Sequence, residues 1–328
     1  MRNVKIVSTG SYVPQKILTN QDLSKRVETS DEWIVSRTGI RERRVIAKGQ
    51  TCSDLAFEAS KSALQKAGLS PEDLDMIILA TLTPDKRLPA SANFLQEKLG
   101  AKNAAVFDIN VACSGFVYGM SIAMQYIRTG EMKHVLVVGA EVMTEILNWK
   151  DRGTCILFGD GAGAAILGPA EASDEHELLS THLFSNGALW PLLNIPAGGT
   201  EMPWTAEVFE RGDHLVQMKG KEVFKEAVKS MISASEIALR KANLKISDID
   251  VFIPHQANLR IIDAISKRLD FPKEKIFVNV DKYGNTSAAS IPLALDEAVR
   301  TSFIKKGNLI LIVTFGAGFA WGSALVKW

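Results

Sequence analysis

The chain is poor in the features that mark several large protein classes. Only three cysteines occur in 328 residues, at Cys52, Cys113 and Cys155, with no paired spacing; this argues against a disulfide framework and leaves each sulfur to be explained singly. No apolar run approaches the roughly 18 residues a membrane helix needs. Charges nearly cancel, at a formal +1, so nothing in the balance points to nucleic acid or an anionic membrane as the main partner. No His or Cys pair has ligand spacing, and no metal is expected. Gly159-Asp160-Gly161-Ala162-Gly163 is like a nucleotide loop but lacks Lys-Ser/Thr and leads into a strand-like run, so it reads as a tight turn. Met1 to Gly10 alternates as a strand and has neither a signal-peptide apolar stretch nor a transit composition, which points to a cytoplasmic protein.

What is present is apolar residue, 46% of the chain, enough for one large core or two fused ones, and a repeat. Ala63-Leu64-Gln65-Lys66-Ala67-Gly68-Leu69 leads through Asp73 and Asp75 into the run Met76 to Ala80. Ala238-Leu239-Arg240-Lys241-Ala242-Asn243-Leu244 leads through Asp248 and Asp250 into Val251 to Pro254. The constant offset of about 175 residues reads as internal duplication. Val- and Ile-rich runs alternate with segments of helical period, the pattern of α/β layering. Strands are expected at Val4–Ser8, Met76–Ala80, Ala105–Ile109, His134–Gly139 and Gly163–Leu167, and again at Val251–Pro254, Ile276–Val280, Leu309–Phe315 and Trp321–Val326. Helices are expected over Ser53–Ala67 with Ser53 as N-cap, Ser114–Arg128 closed by Gly130, Glu222–Lys241 and Ile261–Leu269. This divides the chain into a half over residues 1–170, a linker and cover loop over 171–220, and a second half over 221–328. The middle segment carries Pro191, Pro196, Gly198, Gly199 and Pro203, with Trp190 and Trp204 fitting either a substrate lid or a dimer or core contact.

Duplicated halves packed about a pseudo-twofold axis bring corresponding strand ends face to face, and the chemically distinctive residues sit at such ends. Cys113 follows a strand and opens a helix, where unpaired N–H groups and the helix dipole favour a thiolate and can bind an oxyanion. Cys52 and Cys155 have no such setting and read as small buried hydrophobes. His255 ends a strand in the other half; His134, His176, His182 and His214 read as surface or packing residues. Asn285, in Tyr283-Gly284-Asn285-Thr286-Ser287, is the second-half counterpart of the Cys113 junction, and suits either a helix cap or a neutral donor to an enolate oxygen.

An ordered set of motifs runs nearly from end to end: Thr29-Ser30-Asp31-Glu32-Trp33-Ile34 with Arg37-Thr38-Gly39-Ile40-Arg41-Glu42-Arg43, Ala112-Cys113-Ser114-Gly115-Phe116, Asp151-Arg152-Gly153-Thr154, Phe158-Gly159-Asp160-Gly161-Ala162-Gly163, Pro254-His255-Gln256-Ala257-Asn258, Gly284-Asn285-Thr286-Ser287-Ala288-Ala289-Ser290 and Phe315-Gly316-Ala317-Gly318-Phe319. Together they resemble the thiolase superfamily, and within it the β-ketoacyl-acyl-carrier-protein synthase III family, the initiating condensing enzymes of type II fatty acid synthesis. The resemblance implies duplicated βαβαβαββ halves in a five-layered α-β-α-β-α architecture, and a homodimer. It implies that Cys113 takes the acyl group from a short acyl-CoA, that malonyl-acyl carrier protein then replaces CoA, and that His255 and Asn285 stabilise the enolate left by decarboxylation. The CoA thioester is a substrate, and no cofactor is implied.

Further roles are implied the same way. The N–H groups of Cys113 and Ala317 would form the oxyanion hole, although the family's loop often has glycine at Ala317, which requires a negative φ there. Trp33 would stack on the adenine with Arg152 on its other face, Arg37 and Thr38 would meet the nucleotide, and Gly220, Phe224, Ala257 and Asn258 would line the pantetheine tunnel. Lys225, Arg260, Lys267 and Arg268 match a basic patch for the acidic carrier protein, or for the last two a solvated helix face. Met143, Phe158 and, across the dimer, Leu88 would shape the acyl pocket; Leu88 stands where an aromatic is common, so a longer or branched starter would fit. Asn285 in place of a second histidine disfavours an elongating enzyme, and Thr81-Leu82-Thr83-Pro84 offers no glutamate base of the kind a hydroxymethylglutaryl-CoA synthase needs. Plant-type polyketide synthases share Cys-His-Asn, and an idle acyl- or carrier-binding module is the alternative from another class.

Overall fold

The computed structural model describes residues 1–171 and 173–328. Nine strands build two sheets. The first contains β1 (Asn3–Tyr12), β2 (Met76–Ala80), β3 (Ala105–Ile109), β4 (Val135–Glu141) and β5 (Gly161–Ala170), in the order β1-β5-β4-β2-β3. The second contains β6 (Glu177–Ser185), β7 (Val251–Pro254), β8 (Leu309–Gly316) and β9 (Ala320–Lys327), in the order β6-β9-β8-β7. The two orders are the same path walked twice. Register repeats as well: Val251 pairs in parallel with Ile310 as Met76 pairs with Val135, each partner 175 positions on.

The longer helices are α1 (Asp31–Thr38), α2 (Cys52–Ala67), α3 (Ser91–Leu99), α4 (Gly115–Thr129), α5 (Gly220–Lys241), α6 (Leu259–Leu269) and α7 (Ser290–Arg300). The central strands are buried on both faces and read as unbroken apolar runs, as parallel strands covered by helices do. Three apolar clusters explain the layering. One joins Ile78 and Val137 of the first sheet, Phe116 and Met120 of α4, Ile291 and Leu295 of α7, and Ile253 and Ile312 of the second sheet. A second packs α2 and α3 on the outer face of the first sheet, and a third packs α5 and α6 on the outer face of the second. The result is the five-layered α-β-α-β-α arrangement, with α4 and α7 in the middle layer.

Three expectations need correction. The segment over 171–220 is not all connector, because β6 lies within it and pairs with β9 as the edge of the second sheet. The strand expected over Ile276–Val280 shrinks to one bridge between Phe252 and Ile276. Its place beside β7 is filled instead by a side chain: Gln256 Nε2 donates to Phe277 O at 3.2 Å and Gln256 Oε1 accepts from Asn279 N–H at 3.0 Å. Helix α2 is capped by Thr51, whose N–H and hydroxyl donate to Asp54 Oδ2 at 2.8 and 2.9 Å, while Ser53 lies inside the helix and donates to Asp85 Oδ1 at 2.6 Å.

The halves meet with little tolerance at the strand ends. A Cβ added at Gly139 of β4 would lie 2.2 Å from Ala288 O, in the tight turn that precedes α7. Backbone on both sides has nowhere to go, so Gly139→Ala is expected to cost about 3 kcal/mol as overpacking. A urea midpoint unchanged from wild type would contradict this.

Candidate active site

Cys113 lies in a 3-10 turn, Ala112–Ser114, that runs into α4 at Gly115, one residue later than the sequence suggests. The turn is bought with backbone strain, since Ala112 holds φ at 44°, and the duplicate turn repeats this with Ser287 at 49°. The residue after each strained position, Cys113 in one half and Ala288 in the other, is buried. The opposite half pins the turn: Thr314 Oγ1 donates to Cys113 O at 2.8 Å and Ser114 Oγ donates to Ala320 O at 2.7 Å. A Cβ at Gly316 would sit 2.7 Å from Cys113 N, so β8 ends directly against the backbone of the cysteine.

His255 follows β7, its N–H donating to Val313 O at 2.8 Å. Its ring Nδ1 is 2.5 Å from Ser290 Oγ, the first residue of α7, and Gln256 N–H points at the same hydroxyl at 3.4 Å. Asn285 is fixed through its amide oxygen and its backbone. Its Oδ1 accepts from Ser287 N–H at 2.8 Å, which turns the Nδ2 donor away, and its backbone is held by Asn285 N–H to Leu157 O at 2.8 Å and Gly159 N–H to Asn285 O at 3.1 Å.

Cys113, His255 and Asn285 are all buried and line one cavity together with Gly220, Phe224, Ala257 and Asn258. A second space also reaches Cys113 and is lined by Met143, Phe158, Ser287 and Ala317. Ala317 is not among the residues with positive φ; Gly318 takes the left-handed conformation instead, at 73°. That satisfies the requirement an alanine places on this loop.

Electrostatics contradict one inference from sequence. Burial, first of all, pushes the Cys113 thiol up to about 12, against a pull from the Ser287 hydroxyl and with a further push from Glu141. That rise is worth about 4 kcal/mol, more than the roughly 2 kcal/mol a helix N-terminus supplies at best. The resting sulfur is therefore a thiol. Burial likewise drives the His255 imidazole down to about 3, so the ring is neutral at pH 7.

Comparison with known proteins agrees with this geometry. Residues 107–187 match the family described as 3-oxoacyl-[acyl-carrier-protein] synthase III, and residues 239–328 match its C-terminal part. A beta-ketoacyl-[acyl-carrier-protein] synthase III of Caldanaerobacter subterraneus is 55% identical over 98% of this chain and 97% of its own length, and one of Natranaerobius thermophilus is 52% identical over the whole of both. The crystal structure of a 3-oxoacyl-[acyl-carrier-protein] synthase III from Aquifex aeolicus superposes with a TM-score of 0.92 at 47% identity, covering 99% of this chain and 100% of the other. The chain belongs to the 3-oxoacyl-[acyl-carrier-protein] synthase III family.

As a synthase III it is a condensing enzyme, and its remaining residues divide by where they stand. Leu193 and Met218, from the two-stranded pairing of Leu193–Asn194 with Gln217–Met218, line the cysteine cavity. Trp190 and Trp204 line neither space beside Cys113; they are 51% and 48% exposed, and Trp204 stacks on Phe209 at 5.5 Å. Trp33 is flanked by Arg37 at 4.7 Å and Arg152 at 4.9 Å from the ring centre. Arg152 is held there by a 3.0 Å bond from Nη1 to Glu28 O. Thr38 is buried and its hydroxyl is committed, donating to Ile34 O at 2.7 Å and accepting from Ile40 N–H at 3.0 Å.

Lys225 and Arg260 are exposed beside the mouth, Arg260 lying 6.0 Å over the Phe224 ring; Lys267 and Arg268 are exposed in the last turn of α6. Leu88 is 85% exposed and lines neither space beside Cys113 in its own chain. Sequence reasoning missed Glu141, Ser287 and Ser290 as members of this synthase III site. A signal existed for the first: Glu141 is a lone acid at the end of a seven-residue strand that is buried throughout.

Proposed function

We propose that the chain carries out a decarboxylating Claisen condensation of a short-chain acyl-CoA with malonyl-acyl carrier protein, giving 3-oxoacyl-acyl carrier protein, CoA and carbon dioxide by way of an acyl-Cys113. The observation that carries this reading is the shared cavity of Cys113, His255 and Asn285. A nucleophile and two neutral donors face one apolar space, with no charged side chain among its lining residues.

The steps follow from that geometry. Cys113 attacks the thioester carbonyl and the acyl group stays on sulfur, which divides the reaction into two easier halves. The N–H groups of Cys113 and Ala317 receive the oxyanion. After CoA leaves, the malonyl arm enters through the same tunnel past Gly220, Phe224, Ala257 and Asn258. Ser290 accepts from Gln256 N–H and donates to His255 Nδ1, which puts the ring proton on Nε2, facing the cavity. Nε2–H and Asn285 Nδ2 then hold the enolate oxygen as carbon dioxide departs, and the carbanion attacks the acyl-cysteine. Neutral donors suit an apolar pocket because no charge has to be buried before the enolate forms.

The outer residues supply binding. Trp33, Arg37 and Arg152 take the nucleotide end of CoA; Lys225 and Arg260, with Lys267 and Arg268 further along α6, meet the acidic carrier protein. The working unit is a cytoplasmic homodimer in which exposed Leu88 closes the acyl pocket of its partner beside Met143 and Phe158. Residues 1–170 supply the nucleophile and residues 221–328 the two donors. No resident cofactor takes part.

Incubation with labelled acetyl-CoA and then malonyl-acyl carrier protein tests the proposal. Label on Cys113 followed by acetoacetyl-carrier product is expected. Failure to label the protein favours a binding module, and product from malonyl-CoA but not from the carrier favours a polyketide-type condensation. Trp33→Ala is expected to raise KM for acyl-CoA about tenfold with kcat nearly unchanged, since a stacked nucleotide contributes to ground and transition state alike. A fall in kcat at constant KM would move Trp33 out of the binding role.

A further inference from the structure

Glu141 ends β4, is fully buried, and takes no part in the condensation above. Its carboxyl is wrapped by six neutral donors. Oε2 accepts from Thr83 Oγ1 at 2.6 Å, Thr81 Oγ1 at 3.1 Å, Leu82 N–H at 3.1 Å and Thr83 N–H at 3.2 Å. Oε1 accepts from Ser287 Oγ at 2.9 Å and Ala288 N–H at 3.4 Å. Asp296, which joins the two halves through Thr9 and Ser11, is by contrast paired with Lys66 and Arg300. A buried acid surrounded only by neutral groups is a costly way to join two halves that apolar packing already joins. What it holds is therefore informative.

The donors belong to two turns, one from each half, and both turns border the site. The first, Thr81–Thr83, follows β2, and its Leu82 lines the second space that reaches Cys113 and packs against Met143, Leu147 and Phe158. Thr83 Oγ1 closes this turn on β4, accepting from Val142 N–H at 2.8 Å while it donates to Glu141. The second turn starts at Ser287, whose φ of 49° is strained for a serine. Glu141 Oε1 holds that residue by its hydroxyl and by the N–H that follows it. Ser287 N–H donates in turn to Asn285 Oδ1 at 2.8 Å, and an N–H cannot become an acceptor, so this bond decides which way round the amide lies.

We propose that Glu141 is a positioning residue for both half-reactions, Oε2 fixing the Leu82 wall of the space that takes the acyl chain and Oε1 fixing, through Ser287, the amide of Asn285. The inference rests on the condensation proposed above, with the acyl group on Cys113. Glu141 touches no substrate and moves no proton in this role. Two accepting oxygens are what the role needs, since the N–H groups of Leu82, Thr83 and Ala288 cannot turn. Burial pushes the carboxyl upward, and the donors of Thr83, Leu82, Ser287 and Ala288 oppose it; both oxygens keep lone pairs for these bonds in either state. A glutamine keeps the shape but has one oxygen. Its NH2 has to point at the N–H donors of one turn or the other, and that turn loosens.

Two measurements on the full chain separate the arms: the rates at which acetyl-CoA and hexanoyl-CoA label Cys113, and the release of carbon dioxide from malonyl-acyl carrier protein. Thr83→Val removes the shortest bond to Oε2 and lets Leu82 recede. The hexanoyl-to-acetyl labelling ratio is then expected to rise about tenfold, the worth of roughly one methylene in an apolar pocket, with carbon dioxide release lowered no more than about threefold. Thr83→Ser keeps the hydroxyl and is expected to hold the ratio within about twofold of wild type. Ser287→Ala is expected to lower carbon dioxide release about tenfold, as the Asn285 amide loses its fixed direction, and to move the labelling ratio by no more than about threefold. Glu141→Gln is expected to show both shifts. Either arm failing to show its own shift overturns the proposal. So do losses of every rate in step with a lowered urea midpoint, which would make Glu141 a pin between the halves. Thr83→Val and Ser287→Ala decide if Glu141→Gln does not fold. A wild type that never labels Cys113 removes the acyl-acceptor reading and the positioning with it, whereas normal labelling with unchanged variants removes the positioning alone.

Discussion

Cys113→Ser is expected to lower condensation about 10000-fold or more and to leave no acetyl label on the protein, with the thermal midpoint close to wild type. The side chain changes by one atom in a site held by backbone bonds: Thr314 to Cys113 O, and Ser114 Oγ to Ala320 O. Neither bond involves the sulfur, so folding has little reason to respond. Reactivity does, because an alcohol holds its proton far more tightly than a thiol and its alkoxide would have to form in the same buried space. Cys113→Ala separates the two halves of the reaction. In the proposed mechanism decarboxylation of malonyl-acyl carrier protein needs only the His255 and Asn285 donors, so this variant is expected to release carbon dioxide at a rate within about tenfold of wild type while making no 3-oxoacyl product. Loss of decarboxylation with the sulfur would tie enolate formation to the nucleophile and contradict the division of labour proposed for the two halves.

The duplication made much of the fold legible. Met76–Ala80 and Val251–Pro254 are buried, unbroken apolar runs and fall where the sequence pattern puts them, as does Ala105–Ile109, a partly buried edge strand. β6 was hidden because it is an edge strand, only partly buried along most of its length and preceded by an acidic stretch. The Ile276 strand was overstated because the Gln256 side chain, which no periodicity reports, makes the bonds a longer strand would have made. Helix α7 carries Asp296 and Glu297, polar in sequence yet buried, because Lys66 and Arg300 bond to the first and Lys282 and Asn279 to the second.

The site was legible in its nucleophile and donors and less so in the groups that control them. Cys113 and His255 each follow a recognisable strand, whereas Asn285 follows the short helix Val280–Tyr283 in place of the strand its run suggests. The strain at Ala112 and Ser287 has no signature in residue type, since neither is glycine. The sequence suggested a lowered thiol pKa from the helix start, but the decisive quantity is burial, which depends on the opposite half of the chain. Ser287 and Ser290 lay inside a motif that reads as a cap, and only the fold shows one hydroxyl on the buried Glu141 carboxyl and the other at the imidazole.

His255→Ala is expected to reduce condensation about 1000-fold while Cys113 still acquires its acetyl label at a rate within about tenfold of wild type. In the proposed mechanism the ring supplies one of two donors to the enolate oxygen, and in a dry cavity an oxyanion donor is worth far more than in water, whereas the first half-reaction relies on backbone N–H groups at Cys113 and Ala317. Because burial holds the imidazole down at about 3, wild-type malonyl decarboxylation is expected to show no step near pH 6.5, where an ordinary histidine titrates. The sign for stability runs the other way from a paired histidine. The unfolded chain takes up a proton on this ring below about pH 6.5 that the folded chain refuses down to about 3, so His255 makes stability fall as acid is added, and His255→Ala removes that part of the slope. Ser290→Ala leaves Nδ1 without its donor and frees the tautomer to change, so decarboxylation is expected to drop about tenfold with acylation untouched. Equal losses in both half-reactions for either variant would mean that the pocket had collapsed around the missing side chain, and that the ring shapes the site without holding the enolate.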